Sequence, residues 1–183
     1  HDDFATPPGL FVFLEKYFCA FDSFDLDPCA RNSKEAMCRR FFTPEQDGLK
    51  KKWSGDVFVN PPYTKTKQFP KGQLAAWTDK IISEANRDTD RVIVALVPNN
   101  SAEAWHNRLY EYCYRFGEFL TIRRRIKHRD LRTGKVGSAR FASCVFALNA
   151  TPPNKPHQVI GCDARGVYAV VIGHVFVRFT SDE

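Results

Sequence analysis

Asp56-Val57-Phe58-Val59-Asn60-Pro61-Pro62-Tyr63 is the stretch from which the fold can be read. Val57-Phe58-Val59 has the β-branched and aromatic character of a short strand. Pro61 and Pro62 fix two successive φ angles and remove two N–H donors, so the strand stops there. A polar, basic loop follows from Thr64 to Gly72. Leu74, Trp77, Ile81, Ile82 and Ala85 then recur at helical spacing and predict an amphipathic helix. Val92 to Val97 is an unbroken apolar run, as expected of a strand buried on both faces, and it ends at Pro98-Asn99-Asn100. Strand, helix and strand in this order predict a parallel pair joined by a crossover.

The pattern extends in both directions. Thr6-Pro7-Pro8 reads as a helix start, with Thr6 as the cap and proline in the first turn. Leu10, Phe13, Leu14, Tyr17 and Phe18 form its apolar face. Phe24-Asp25-Leu26-Asp27 reads as a short strand stopped by Pro28. Residues 32–40 read as a short helix, Phe41-Phe42-Thr43 as a brief strand and Gln46-Asp47-Gly48 as a turn. On the far side, Ser101 is the expected cap of a helix whose buried face is Trp105, Leu109, Tyr112, Cys113 and Phe116. Phe119 to Ile126 and Arg140 to Leu148 read as strands joined by a basic loop. Ala150 to Pro156 is a Pro-rich connector, and 157–161 and 167–179 suggest further strands around a Gly166 turn. The expected class is α/β, a mainly parallel sheet with an antiparallel edge formed by the last strands.

Composition narrows the possibilities. A chain of 183 residues suits one domain, and 43% hydrophobic with 26% charged residues is incompatible with a wholly disordered chain. No run of eighteen apolar residues occurs, so no transmembrane helix is expected. The chain opens His1-Asp2-Asp3 without a basic-then-apolar leader, so it is not expected to be secreted. It does not begin with Met and reads as an excised fragment. Six cysteines without a C-x-x-C pair read as reduced thiols of an intracellular protein, in the cytoplasm or nucleus of the host cell. Five histidines form no ligand pair, so no metal site is expected. The net charge of +6 is concentrated: Arg123 to Arg140 holds eight Lys or Arg and one acid, Asp130. A neutral body with one basic segment points to a polyanionic partner, or else to a solvated loop.

Asp27-Pro28, Asn60-Pro61-Pro62-Tyr63 and Pro98-Asn99 each follow a strand directly. In an open α/β sheet, ligands bind beyond the carboxyl ends of the strands, so these three ends propose one site. The Asn60 side-chain oxygen and the Pro61 carbonyl form a rigid rim of acceptors, with the flat Tyr63 ring beside them. That set suits a planar substrate bearing an exocyclic NH2 group; the plainer reading is a strand-terminating turn. Nothing near Cys29 in sequence explains a depressed thiol pKa, so covalent catalysis is not expected. Trp53, Trp77 and Trp105 read as core residues.

These motifs together resemble the phage-type DNA N6-adenine methyltransferases of the Dam group, which use S-adenosylmethionine. The resemblance rests on Thr6-Pro7-Pro8, Phe24-Asp25-Leu26-Asp27-Pro28-Cys29-Ala30, Gln46-Asp47-Gly48-Leu49 with Trp53, and Val57 to Tyr63. It continues through Ala95-Leu96-Val97-Pro98 with Trp105 and Arg124-Arg125-Ile126-Lys127, covering about residues 5–148 in order. It implies a Rossmann-like methyltransferase domain over 1–149, with 150–183 as a C-terminal β extension packed on it. It implies Thr6, Pro7, Asp27, Pro28, Cys29, Asp47 and Asn60 around the methyl donor, with Asp27 accepting from its ammonium. Asn60, Pro61, Pro62 and Tyr63 would hold a flipped-out adenine. Lys65, Lys67, Arg123, Arg124, Arg125, Lys127, Arg129, Arg132 and Lys135 would grip DNA, single- or double-stranded, with Lys71 beside the first group. The chain departs from the usual donor-binding G-x-G, carrying Asp27-Pro28-Cys29-Ala30 instead. Other NH2 acceptors, RNA adenine or a protein glutamine, share the tetrapeptide, and an inactive nucleic-acid-binding module is the reading of another class.

Overall fold

One sheet of nine strands organises the described residues, which in this computed structural model are 5–19, 23–129, 134, 136–150, 158–162, 168–172 and 175–177. The elements in chain order are α1 (Pro8–Phe18), β1 (Leu26–Asp27), β2 (Arg40–Phe41), β3 (Val57–Val59), α2 (Leu74–Arg87), β4 (Ile93–Pro98) and α3 (Ala104–Phe116). They continue with β5 (Gly117–Ile122), β6 (Lys127–Arg129), β7 (Val136–Ser138), β8 (Ser143–Leu148), β9 (Gln158–Cys162), β10 (Tyr168–Ile172) and β11 (Val175–Val177). The sheet order is β11-β10-β9-β5-β8-β4-β3-β1-β2, and β6 with β7 forms a separate antiparallel hairpin.

β1, β2, β3 and β4 pair in parallel, with Val57, Phe58 and Val59 opposite Ile93, Val94 and Ala95. β8 runs against both β4 and β5, so β5 points the same way as β4. β9 is parallel to β5, and β10 and β11 close the sheet as an antiparallel edge. The mainly parallel α/β expectation therefore holds. The antiparallel β8, however, lies in the interior rather than at an edge. All six of its residues are buried, and a strand apolar on both faces belongs between two neighbours.

Alternation along the strands divides the core between the two faces of the sheet. Phe58, Val94, Leu96, Val145 and Ala147 pack with Leu10, Phe11 and Leu14 of α1. Val57, Val59, Ile93, Ala95, Val97, Phe146 and Leu148 pack with Trp77, Ile81, Trp105 and Leu109 of α2 and α3. Phe58 meets Phe11 edge-on, with ring centroids 5.0 Å apart.

Four local expectations are corrected. Residues 32–40 form turns rather than a helix. The Asn32 side chain accepts the Lys34 and Glu35 amides at 2.9 and 3.2 Å, as a helix cap does, and the Ala36 amide reaches the Asn32 carbonyl at 3.1 Å, but the next amide, Met37, goes to the Asp27 carboxylate, so the segment stops after one turn. Thr6 does not cap α1: Pro7 is the cap residue, and no side chain bonds the first turn. Ser101 does not cap α3, which starts after Glu103, because a turn closed by Glu103 N–H on the Asn100 carbonyl (3.1 Å) comes first. The buried face of α3 is Trp105, His106, Leu109 and Cys113, and Phe116 is 57% exposed.

None of the six cysteines is in a disulfide. Among the described residues no helix is long and apolar enough to cross a membrane, and no group of three metal-ligating side chains is found.

Candidate active site

The carboxyl ends of β1 and β3 open into one cavity of about 530 Å³, whereas Pro98 and Asn99 at the end of β4, expected to share the site, do not line it. Its wall includes Thr6, Asp27, Pro28, Cys29, Asp47, Asn60, Pro61, Pro62 and Tyr63, residues drawn from four separate segments.

Asp27 ends β1 and is almost fully buried. Its carboxylate accepts the Cys29 and Met37 amides at 3.1 and 3.2 Å, which folds the chain after Pro28 back over the strand end. Burial pushes the Asp27 carboxyl above its ordinary value, against the pull of those two amides. A buried anion with its field only partly compensated favours a cationic partner. Burial, and then the Asp27 charge, push the Cys29 thiol far up. It is held as a thiol, which argues against a nucleophilic role.

The second wall is the Asp47-Gly48 turn. Asp47 sits in the left-handed region at φ 56°, which Asp tolerates better than most residues, and its carboxylate accepts the Leu49 amide and pairs with Lys50. Gly48 is required by contact: a Cβ there would lie 1.9 Å from the Pro28 carbonyl oxygen. Trp53 fixes the turn from behind, donating its indole N–H to the Gly48 carbonyl at 2.9 Å. Trp53 stacks on Trp77, which itself lines the cavity.

The third wall is the tetrapeptide after β3. Asn60 donates from Nδ2 to Thr6 Oγ1 at 3.0 Å, and its Oδ1 accepts the Tyr63 hydroxyl at 2.6 Å. The Tyr63 hydroxyl also lies 3.4 Å from the Leu96 carbonyl. The Tyr63 ring meets Phe141 edge-on, centroids 5.4 Å apart. The amide oxygen, the proline backbone and the tyrosine ring are thus gathered at one point.

Pro7 stands apart from the wall. Its carbonyl accepts the Leu10 and Phe11 amides, so its visible work is to start α1. Lys65, Lys67 and Lys71 are exposed on a loop whose Thr64, Gln68 and Phe69 reach the cavity. Arg123, Arg124, Arg125 and Lys127 are exposed at the base of the β6–β7 hairpin, which Ala139 N–H closes on the Ile126 carbonyl. Arg129 lies in β6, and Arg132 and Lys135 fall outside the described residues.

Two cations on the cavity wall, Arg31 and Arg140, were not singled out by sequence reasoning. Arg31 follows the Asp27-Pro28-Cys29-Ala30 turn, which was a usable signal. Arg140 and Phe141 reach the cavity because β8 starts opposite the end of β4, with Ser143 facing Pro98. Only the pairing of those strands reveals it.

A protein-family model described as DNA N-6-adenine-methyltransferase (Dam) matches residues 1–160. A DNA N-6-adenine-methyltransferase of Haemophilus phage HP1 (strain HP1c1) is 41% identical over 64 residues, 34% of this chain. That match spans 35% of the relative's length. With residues 1–160 under the family model, the chain belongs to the DNA N-6-adenine-methyltransferase (Dam) family.

Proposed function

We propose that this chain transfers a methyl group from S-adenosylmethionine to the exocyclic N6 amine of a flipped-out adenine in DNA. The observation that carries the reading is that a cation-seeking carboxylate, Asp27, and an amine-accepting group, Asn60, face the same cavity. A donor with an ammonium group fits the Asp27 side, and on this reading Asp47, on the opposite turn of the same cavity, meets its adenosine.

When bound, the donor supplies a methyl group already activated by its sulfonium. The work left to the protein is proximity and orientation. The Asn60 Oδ1 and the Pro61 carbonyl accept the two amine hydrogens. This turns the nitrogen lone pair out of the ring plane toward the methyl group. An amide is not basic, so the amine proton leaves to water after transfer. Flipping the base costs a few kcal/mol, and stacking on Tyr63 returns about 1–3 kcal/mol of it. Lys65, Lys67, Arg123, Arg124, Arg125 and Lys127, with Arg140 at the lip, supply the phosphate contacts that hold the backbone meanwhile. On this reading the strands after residue 150 belong to the same unit, since Ile160 of β9 pairs with Ile122 of β5.

The test is radiolabelled transfer to unmethylated duplex DNA, single-stranded DNA, RNA and a glutamine peptide, with nucleoside digestion of the product. N6-methyladenine in DNA is expected, and Asn60→Ala is expected to lose it while keeping donor affinity within a few-fold. Label confined to RNA or peptide would move the acceptor. Wild-type turnover by Asn60→Ala would remove Asn60 from the chemistry.

A further inference from the structure

The two ends of an Asn carboxamide match in shape and oppose in chemistry: the oxygen accepts and the nitrogen donates. Asn60 serves an amine substrate only with its oxygen turned to the acceptor side. Rotated by half a turn, it would present N–H groups to an NH2 group. Both neighbours are hydroxyls, which can donate or accept, so what the site needs is an anchor that holds the amide against that rotation.

We infer that Thr6 is the positioning residue that does so, an inference that rests on the methyl-transfer reading above. Thr6 Oγ1 receives the Asn60 Nδ2–H at 3.0 Å across 54 residues of sequence, and Tyr63 donates to the other end at 2.6 Å. Thr6 is only 5% exposed, so little water reaches the hydroxyl to take its place. Pro7 next to it, at φ −59°, opens α1 without a side-chain cap, so the Thr6 hydroxyl is not consumed by the helix. The residue before a proline is driven to extended backbone, which holds Thr6 away from the helical turn. Phe11 of α1 packs on Phe58, two residues before Asn60, and ties helix and strand together. Thr6 therefore acts through Asn60, in addition to lining the cavity.

Thr6→Val keeps the shape of the side chain and removes the hydroxyl. In the whole chain, kcat for methyl transfer to an unmethylated oligonucleotide should fall on the order of 10–100-fold, the scale for a reacting group held in the wrong geometry. The donor Kd from calorimetry should stay within about two- to three-fold, because the hydroxyl's partner is Asn60. Thr6→Ser should restore kcat. A second readout is independent of activity. The Asn60 side-chain NH2 pair in a 15N–1H spectrum, assigned by its loss in Asn60→Ala, should exchange slowly in the wild type and fast in Thr6→Val. An active wild type with Thr6→Val at equal kcat overturns the assignment alone. So does a Thr6→Ser variant as slow as Thr6→Val. If Thr6→Val does not fold, an Asn60 NH2 pair exchanging in the wild type as fast as an exposed asparagine overturns it. A folded wild type that transfers no methyl group to any DNA overturns the reading beneath it as well.

Discussion

Glu84→Gln tests how the cavity is supported from behind. Glu84 is 4% exposed and receives three cations. Lys80 Nζ lies 2.7 Å from Oε1, and Arg87 and Arg91 reach Oε2 at 2.5 and 2.7 Å. Burial alone would push this carboxyl up, but the bonds from Lys80, Arg91 and Arg87 outweigh it and bring it from 4.5 to about 2. A tenfold change in an acid constant is about 1.4 kcal/mol, so the displacement amounts to about 3 kcal/mol. The amide variant also leaves the Arg91 guanidinium, itself 4% exposed, without its nearer carboxylate, the other being Asp88 at 4.0 Å. Loss of one partner of a buried pair typically costs about 3–5 kcal/mol. Both routes give about 3 kcal/mol or more at pH 7, or roughly 6–12 °C in Tm for a chain of this size.

The sign of the pH dependence follows from the direction of the shift. A carboxyl whose folded value lies below its unfolded value binds more protons when unfolded. Its stabilisation is therefore complete above about pH 5 and is lost as pH falls toward 2. By pH 3 about 2 kcal/mol of the gap between wild type and variant should have closed. Urea denaturation of both proteins at pH 7, 5, 4 and 3 measures that gap. A gap under about 1 kcal/mol at pH 7, or one that does not change with pH, would refute the reasoning. The variant should also loosen the donor side modestly, since Arg87 donates to the Trp53 carbonyl and Trp53 carries the Gly48 turn.

Two further outcomes are expected at the site and its rim. Asp27→Asn removes the charge that would meet the donor's ammonium and keeps an acceptor for one of the Cys29 and Met37 amides, which bond different oxygens of the carboxylate. Losing a charged hydrogen bond of about 1.5–3 kcal/mol should weaken donor binding roughly 10–100-fold by calorimetry, and unchanged affinity would take Asp27 out of the donor site. Arg124→Ala with Arg125→Ala should flatten the salt dependence of DNA binding by about 0.9 in log–log slope for each phosphate no longer neutralised, and an unchanged slope would remove both from the footprint.

The parallel half of the sheet was legible because its signals are local. Val57-Phe58-Val59 and the 92–97 run announce strands, and a helical stripe separates them, so the polar residues that end those strands had to share an edge. What escaped was set by pairing and by competition for hydrogen bonds. β8 could be read as a strand, but its place between β4 and β5 depends on contacts with residues far away in sequence, such as Val145 opposite both Leu96 and Leu120. The segment after Asn32 has a helical pattern and a capped first turn, yet the Asp27 carboxylate takes the Met37 amide and the helix goes no further. Arg140 and Phe141 were visible as residues and invisible as cavity wall, because only the β4–β8 register brings them beside Tyr63.

Thr6 shows why a satisfactory local explanation can hide a second one. Thr-Pro-Pro before an apolar stripe is a complete helix-start signal, and nothing in it demands another role for the hydroxyl. The prolines make that hydroxyl dispensable to the helix: Pro8 in the first turn has no N–H to satisfy, and Pro7 already has its φ fixed. The same economy recurs in the wall. Pro61 and Pro62 stiffen the acceptor side, while Gly48, pressed against the Pro28 carbonyl, fixes the opposite turn. A reaction that asks for alignment more than for acid–base strength loses most from a misplacement of about 1 Å. It is served by backbone with few alternatives on both sides of the cavity, and by an Asn60 amide tied at each end.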